Sequence, residues 1–353
     1  MIIRMNTADM QSQVISALRY PLVVLVLLIH SDFKGISQAW DGALLACPSL
    51  SLGDAELSVR TFIGFVSGTL APLANPFFFF LSGLLFFREG EFSRALYLRK
   101  LRSRVRSLLV PYLLWNALFL LVLCLGETLR PGWTSAVSRP VADFGLADWL
   151  LAFWDISLIG GQGGIAAPLD IPLWFVRDLM AVSVLSPLVY VAVRWLSSFR
   201  REIAPVVLMA LLYALRWAPE LPGISFQGLL FFAFGAYFGI NRLSIAVLFR
   251  PALWVGVLLS FYFCQKNLPN LMYASLIIGI VSFATRRIER RRAKGQLPSP
   301  VFQTLTELRF LSLPVIRFRW GLSSICSRQA GFLPPAASGC WQSICFARCC
   351  SLS

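Results

Sequence analysis

The chain has 353 residues, 57% of them hydrophobic and 14% charged, with a mean hydropathy of +0.71. A soluble domain carries about 25% charged residues, so this composition excludes a soluble globular protein and specifies a polytopic membrane protein. The net charge of +15 does not specify nucleic acid, because the basic residues cluster between apolar runs, as they do in loops on the inner face of a membrane. Membrane lipids and anionic ligands are the expected partners, and no nucleic acid is.

Roughly 20 mostly apolar residues span a bilayer, and eight such segments follow along the chain: 14–33, 61–87, 107–126, 172–194, 203–218, 225–240, 246–264 and 268–285. The first follows a polar stretch and lacks a small-residue cleavage site, so it is expected to stay in the protein as a signal anchor. It contains Arg19 and, eleven positions later, the single histidine of the chain, His30. Eleven residues make about three helical turns, which sets the two on nearly one face, about 16 Å apart. Ionisable groups inside a membrane helix are costly unless they face protein or water, so the pair marks a candidate site. The alternative is that Arg19 snorkels and His30 caps the helix among headgroups. Asp32 lies about 160° from His30 around the helix and reaches it only if the helix unwinds.

In the second segment Gly68, Pro72, Pro76 and Gly83 mark bends or close packing, and Ser82 allows helices to approach. The stretch 146–160, LADWLLAFWDISLIG, is apolar but short and acidic. It reads as a ninth span, a re-entrant piece or an interfacial amphipathic helix. Trp174 and Arg177 stand three apart at the start of the fourth segment, so they either look into one cavity or anchor at the interface. The predicted fold is an all-α polytopic transmembrane helix bundle of about 8–10 spanning helices.

Charge orients it. Arg88, Arg94, Arg99, Lys100, Arg102, Arg104 and Arg106 form one basic cluster, 194–202 a second and 286–294 a third. With eight spans and a cytoplasmic N-terminus all three fall on the inner side, while the more acidic loops 34–60 and 127–171 fall outside. Cys47, Cys124 and Cys264 read as small hydrophobes.

Four segments in order carry a family resemblance: LRYPLVVLVLLIH (18–30), NPFFFFLSGLLFF (75–87), YLRKLRSRVRSLLVPYLLW (97–115) and IPLWFVRDL (171–179). Over 15–290 the chain resembles the membrane acyltransferase-3 family of bacterial integral-membrane O-acyltransferases. The resemblance implies an inner (cytoplasmic) membrane protein that moves an acyl group, usually acetyl, from acyl-CoA to a hydroxyl of an extracytoplasmic glycan or lipid-linked sugar. It places the family's Arg–ten–His pattern on Arg19 and His30 and its paired arginines on Arg102, Arg104 and Arg106. The chemistry agrees with these assignments. A hydroxyl attacking a thioester needs a base, which a neutral imidazole supplies, and arginine forks suit the phosphates of coenzyme A. Arg19 is assigned to the donor's pyrophosphate or pantetheine arm, and Trp174 with Arg177 to the substrate side. Acyl-CoA enters as donor substrate; no bound cofactor and no metal are expected.

The resemblance stops near residue 305, dividing the chain into an acyltransferase domain at 1–304 and an atypical tail at 305–353. Five of the eight cysteines fall after residue 325, among Arg309, Arg317, Arg319, Arg328 and Arg348. No paired CxxC motifs provide a zinc site, and a disulfide module does not suit the cytoplasmic side. The tail reads as a shifted frame or rearranged gene, which would make this an inactive, truncated copy. The rival function is a transporter or flippase of a lipid-linked sugar, although the two similar halves of many transporters are not apparent.

Overall fold

The structure, a computed structural model, describes residues 7–30, 64–89, 92–129, 141–160, 166–218, 221 and 223–295. Asp32, Cys47, the loop 34–60, the side chain of His30 and the tail 305–353 lie outside the described residues. Among those described, the chain is helical apart from turns and one isolated bridge between Leu221 and Ile224.

Among the described residues five helical stretches are long and apolar enough to cross a membrane: Ala8–Ile29, Val66–Phe86, Arg94–Leu129, Ile245–Gln265 and Pro269–Ala293. A bent pair and two shorter apolar helices complete the set. All eight predicted segments are therefore helical over most of their described residues, and the protein is an all-α, multi-pass membrane bundle. The helices are α1 (Thr7–His30), α2 (Ala74–Phe86), α3 (Arg94–Arg104), α4 (Val110–Leu129), α5 (Leu146–Ala152), α6 (Trp174–Val184), α7 (Ser186–Phe199), α8 (Ile203–Ala214), α9 (Phe226–Ile240), α10 (Ile245–Phe249), α11 (Leu253–Gln265) and α12 (Pro269–Ala293).

Prolines shape the elements. The segment predicted at 172–194 is not one helix, because α6 and α7 diverge by 62°. Pro187 has no N–H to give the Ser183 carbonyl and disfavours helical backbone at Ser186. Wide π-type turns at Val66–Leu70 and Val105–Leu109 precede Pro72 and Pro111 for the same reason. Helix α3 begins well ahead of the apolar run, at an N-cap where Ser93 Oγ accepts the Leu96 N–H at 3.2 Å. Much of the predicted loop 88–106 is thus the first third of a long helix that ends at Leu129.

The core centres on α2 and α9, whose backbones touch. A methyl group on Gly83 would sit 2.0 Å from the Phe232 carbonyl oxygen, and one on Gly235 1.8 Å from that of Phe80. Small residues let membrane helices approach this closely. Around the contact Phe77, Phe80, Phe86, Phe234 and Phe238 pack mostly edge to face. Gly256 of α11 lies against Gly279 of α12 in the same manner.

The basic clusters share one end. Arg88 donates to the Ala8 carbonyl at 3.1 Å, and Arg292 pairs with Asp9 at 3.2 Å. The start of α1 therefore lies beside the ends of α2 and α12. Arg194 and Glu89 line one cavity, which brings the second cluster to the same end. Away from it, the described parts of 141–170 pack along the length of α4. Val141 N–H meets Glu127 at 2.8 Å, Tyr112 donates to the Phe153 carbonyl, and Asp170 N–H meets Asn116 at 3.2 Å. Glu127 and Tyr112 are fifteen residues apart, about 22 Å along a helix. A separate cluster of Leu120, Leu123, Val141, Phe144, Ala152, Ile156, Ile159 and Leu169 holds the segment there. The stretch 146–160 holds only a seven-residue helix and a four-residue 3₁₀ turn, so it is not a ninth span. It descends along α4 and delivers the chain to α6.

Candidate functional site

Helix α1 runs unbroken to His30, so Arg19 and His30 keep the eleven-residue register that places them on one flank. Leu18, Leu22 and Val26 are buried beside that flank, and Arg19 is half-buried. The helix rises from the basic end, so His30 closes it at the far end.

The three arginines expected to act together do not share a face. Arg104 is half-buried and donates to Ser82 Oγ at 2.9 Å. Lys100, one turn earlier, donates to the Phe86 carbonyl and, at 3.4 Å, to that of Leu85. It thereby neutralises the negative C-terminal end of α2. These two cations fasten α3 to α2, and Ser82 is a polar acceptor as well as a small residue. On the other side of α3 and the following turn, Arg99, Arg102 and Arg106 recur at positions i, i+3 and i+7 and therefore share one face. With Ser103 and Ser107 they line a groove of ≈ 600 Å³. Arg102 and Arg106 are exposed. The groove presents guanidinium forks and hydroxyls, which is the donor set for phosphate oxygens. Arg99, Ser103 and Ser107 were not singled out from the sequence. The signal was their spacing, which has meaning only if 94–129 is one helix.

Arg177 sits elsewhere, at the junction of α6 with the 141–170 segment, and is 2% exposed. Its Nε donates to Asp178 Oδ1 at 2.8 Å, Nη1 to the Trp154 carbonyl at 2.7 Å and Nη2 to the Ala166 carbonyl at 3.1 Å. Asp155 Oδ2 lies 3.6 Å from Nη1, and the Trp154 ring lies 5.8 Å from the guanidinium carbon. Snorkelling to an interface does not describe this residue. All three nitrogens are committed to protein, and none is turned toward a cavity. Trp174 is half-buried and meets Phe175 edge-on at 6.2 Å. Asp155 and Trp154, the partners that explain Arg177, were also missed, since 23 residues separate Trp154 from Arg177.

Residues 14–307 match the family described as an acyltransferase domain. The chain belongs to the acyltransferase-3 family. It is also similar to the succinoglycan biosynthesis protein ExoH of Rhizobium meliloti (strain 1021), with 30% identity over 205 residues. That match covers 55% of this chain and 47% of ExoH, so the chain spans about half the length of the curated relative it matches. No solved structure matches. The family match contains Arg19, His30, the α3 arginines, Trp174 and Arg177.

Proposed function

We propose that this protein is a membrane O-acyltransferase of the inner membrane, with its basic end in the cytoplasm. In this reading acyl-CoA binds at the basic end and the acyl group, acetyl in the simplest case, passes to a hydroxyl of an extracytoplasmic glycan. The observation that carries the proposal is the groove of Arg99, Arg102 and Arg106, which gathers three guanidinium groups, those of Arg102 and Arg106 on exposed residues, at the basic end of an acyltransferase domain. Phosphates of the donor suit that groove. Arg19, about three turns below His30 on α1, is suited to the donor arm that extends from it.

His30 is proposed as the base. The acceptor hydroxyl oxygen attacks the thioester carbonyl carbon, and its proton passes to the imidazole. Collapse of the tetrahedral intermediate breaks the carbon–sulfur bond, and the proton returns to the departing thiolate. Trp174 is proposed on the acceptor side, with Arg177 supporting it from within the protein. The glycan class follows from the similarity to ExoH, a succinoglycan biosynthesis protein.

The test is mass spectrometry of surface glycans from cells that express the wild-type protein, the His30→Ala variant or neither. The expected result is a gain of one acyl unit that needs the wild-type chain and disappears in His30→Ala with membrane insertion unchanged. Unchanged acylation in His30→Ala overturns its role as base. Unchanged glycans on removal of the gene overturn the proposed function.

A further inference from the structure

A second cavity opens at the basic end, next to the groove. It measures ≈ 340 Å³, with Phe87, Phe92 and Tyr190 among its walls and Glu89, Arg194 and Arg242 as its charged residues. The rings pack on one another: the Tyr190 ring lies 4.7 Å from that of Phe92, tilted by 31°, and stacks on that of Phe87 at 6.0 Å. Phe87 is buried, whereas Phe92 and Tyr190 are only half-buried and keep part of their surface for a ligand. Glu89 is occupied, 3.4 Å from Arg99 and 3.7 Å from Lys100. Among the described residues neither Arg194 nor Arg242 has an anionic partner, so the cavity holds two uncompensated guanidinium groups.

Arg242 carries a further sign. It follows α9 with φ +54°, the left-handed conformation that glycine usually supplies at a helix C-terminus. The turn is otherwise regular, with Leu243 N–H donating to the Phe238 carbonyl at 2.9 Å. An arginine here incurs a backbone cost that glycine would avoid. Orientation in the membrane calls for positive charge at this end, but it calls for neither a left-handed arginine nor aromatic walls.

We propose that this cavity binds the phosphorylated purine nucleoside at the head of the donor, with a phosphate on Arg194 and Arg242 and the base against Phe92 and Tyr190. Base-to-aromatic stacking and arginine–phosphate pairing are the interactions such a ligand needs. The inference rests on the acyl-CoA reading and extends it. Glu89 lines the cavity and pairs with Arg99, which lines the groove, so the two openings share a wall. A ligand with its head in the cavity therefore has its diphosphate and pantetheine arm beside Arg102 and Arg106.

The test uses the full chain in phosphatidylcholine nanodiscs, titrated with acetyl-CoA, adenosine 3′,5′-bisphosphate and inorganic phosphate. Arg242→Gly and Arg194→Gln are expected to weaken adenosine bisphosphate binding tenfold or more. Arg242→Gly is also expected to melt no lower than wild type, because glycine accepts the left-handed backbone. Adenosine bisphosphate binding by Arg242→Gly equal to wild type overturns the inference. So does a variant that loses only inorganic phosphate, or only enrichment of phosphatidylglycerol in mixed nanodiscs, since either makes the cavity a simple anion or lipid-headgroup site. If acetyl-CoA binds and is weakened by Arg102→Ala but not by Arg242→Gly, this inference alone fails. If wild type binds neither acetyl-CoA nor the bisphosphate, the acyl-CoA reading fails with it.

Discussion

Arginine enters this bundle in two ways, and the contrast between Arg177 and the Arg102–Arg106 pair separates architecture from recognition. Both stand beside apolar sequence. Arg177 is buried among two carboxylates and two carbonyls that use every nitrogen it has. Arg102 and Arg106 lie on an exposed helical face with hydroxyls beside them. A buried guanidinium persists only when it is paired and hydrogen-bonded, so Arg177 brought its partners with it from 23 residues away. Open arginines carry no such requirement and are ready for an anion that arrives from outside. Within one helix the same division recurs, since Arg104 is tied to Ser82 while Arg102 is not.

The largest expected effect breaks the buried side of this contrast. Arg177→Ala leaves Asp155 and Asp178 buried without their cation, and removal of one partner from such a network costs about 3–5 kcal/mol. Thermal unfolding in detergent should show it, and Arg177→Lys should recover only part because one ammonium cannot serve four acceptors. A stable Arg177→Ala protein that has lost only acyl transfer would move Arg177 to the ligand-facing class. Next comes Gly235→Ala, whose new methyl group meets the Phe80 carbonyl oxygen at 1.8 Å, a backbone atom that cannot rotate away. Separating α2 from α9 is expected to cost about 1–3 kcal/mol, read in the same assay.

How much of this was legible follows from the range of the interactions. Helix existence was, because each apolar run must satisfy its backbone within itself. The break in 172–194 was legible in Pro187 and overlooked, because the run is equally apolar on both sides. The basic stretch before residue 107 was read as loop, yet the Ser93 cap and the spacing of Arg99, Arg102 and Arg106 belong to a helix. Arg177 could not be placed, since Trp154, Asp155 and Ala166 come from a segment whose path is set by packing on Leu120 and Leu123. Gly83 was read as marking either a bend or close packing and is a close-packing position, but nothing local named Phe232 as its neighbour.

A moderate effect sharpens the contrast inside α3 and the turn that follows. Arg104→Ala removes the hydrogen bond to Ser82 and is expected to lower stability by about 1 kcal/mol. Arg102→Ala is expected to leave the melting temperature unchanged while raising the KM for acetyl-CoA, the proposed donor, about tenfold, which corresponds to roughly 1.4 kcal/mol of lost phosphate interaction. Equal loss of stability in both variants would dissolve the distinction between the fastening face and the open face.

The smallest effect concerns an ion pair that geometry alone would rank high. Arg250 Nε lies 2.9 Å from Glu289 Oε2, as close as the contacts of Arg177, but the Arg250 side chain is 60% exposed and that of Glu289 32%. Water and salt screen such a pair, and holding two long side chains in register offsets what remains. The turn around Arg250 does not depend on it, because the Arg250 carbonyl accepts from Ser282 at 2.8 Å and from Arg286 at 2.9 Å. Glu289→Gln should therefore change unfolding by less than about 0.5 kcal/mol, with no added sensitivity to salt. A shift approaching that of Arg177→Ala would mean that distance, and not burial, decides which arginines hold this bundle together.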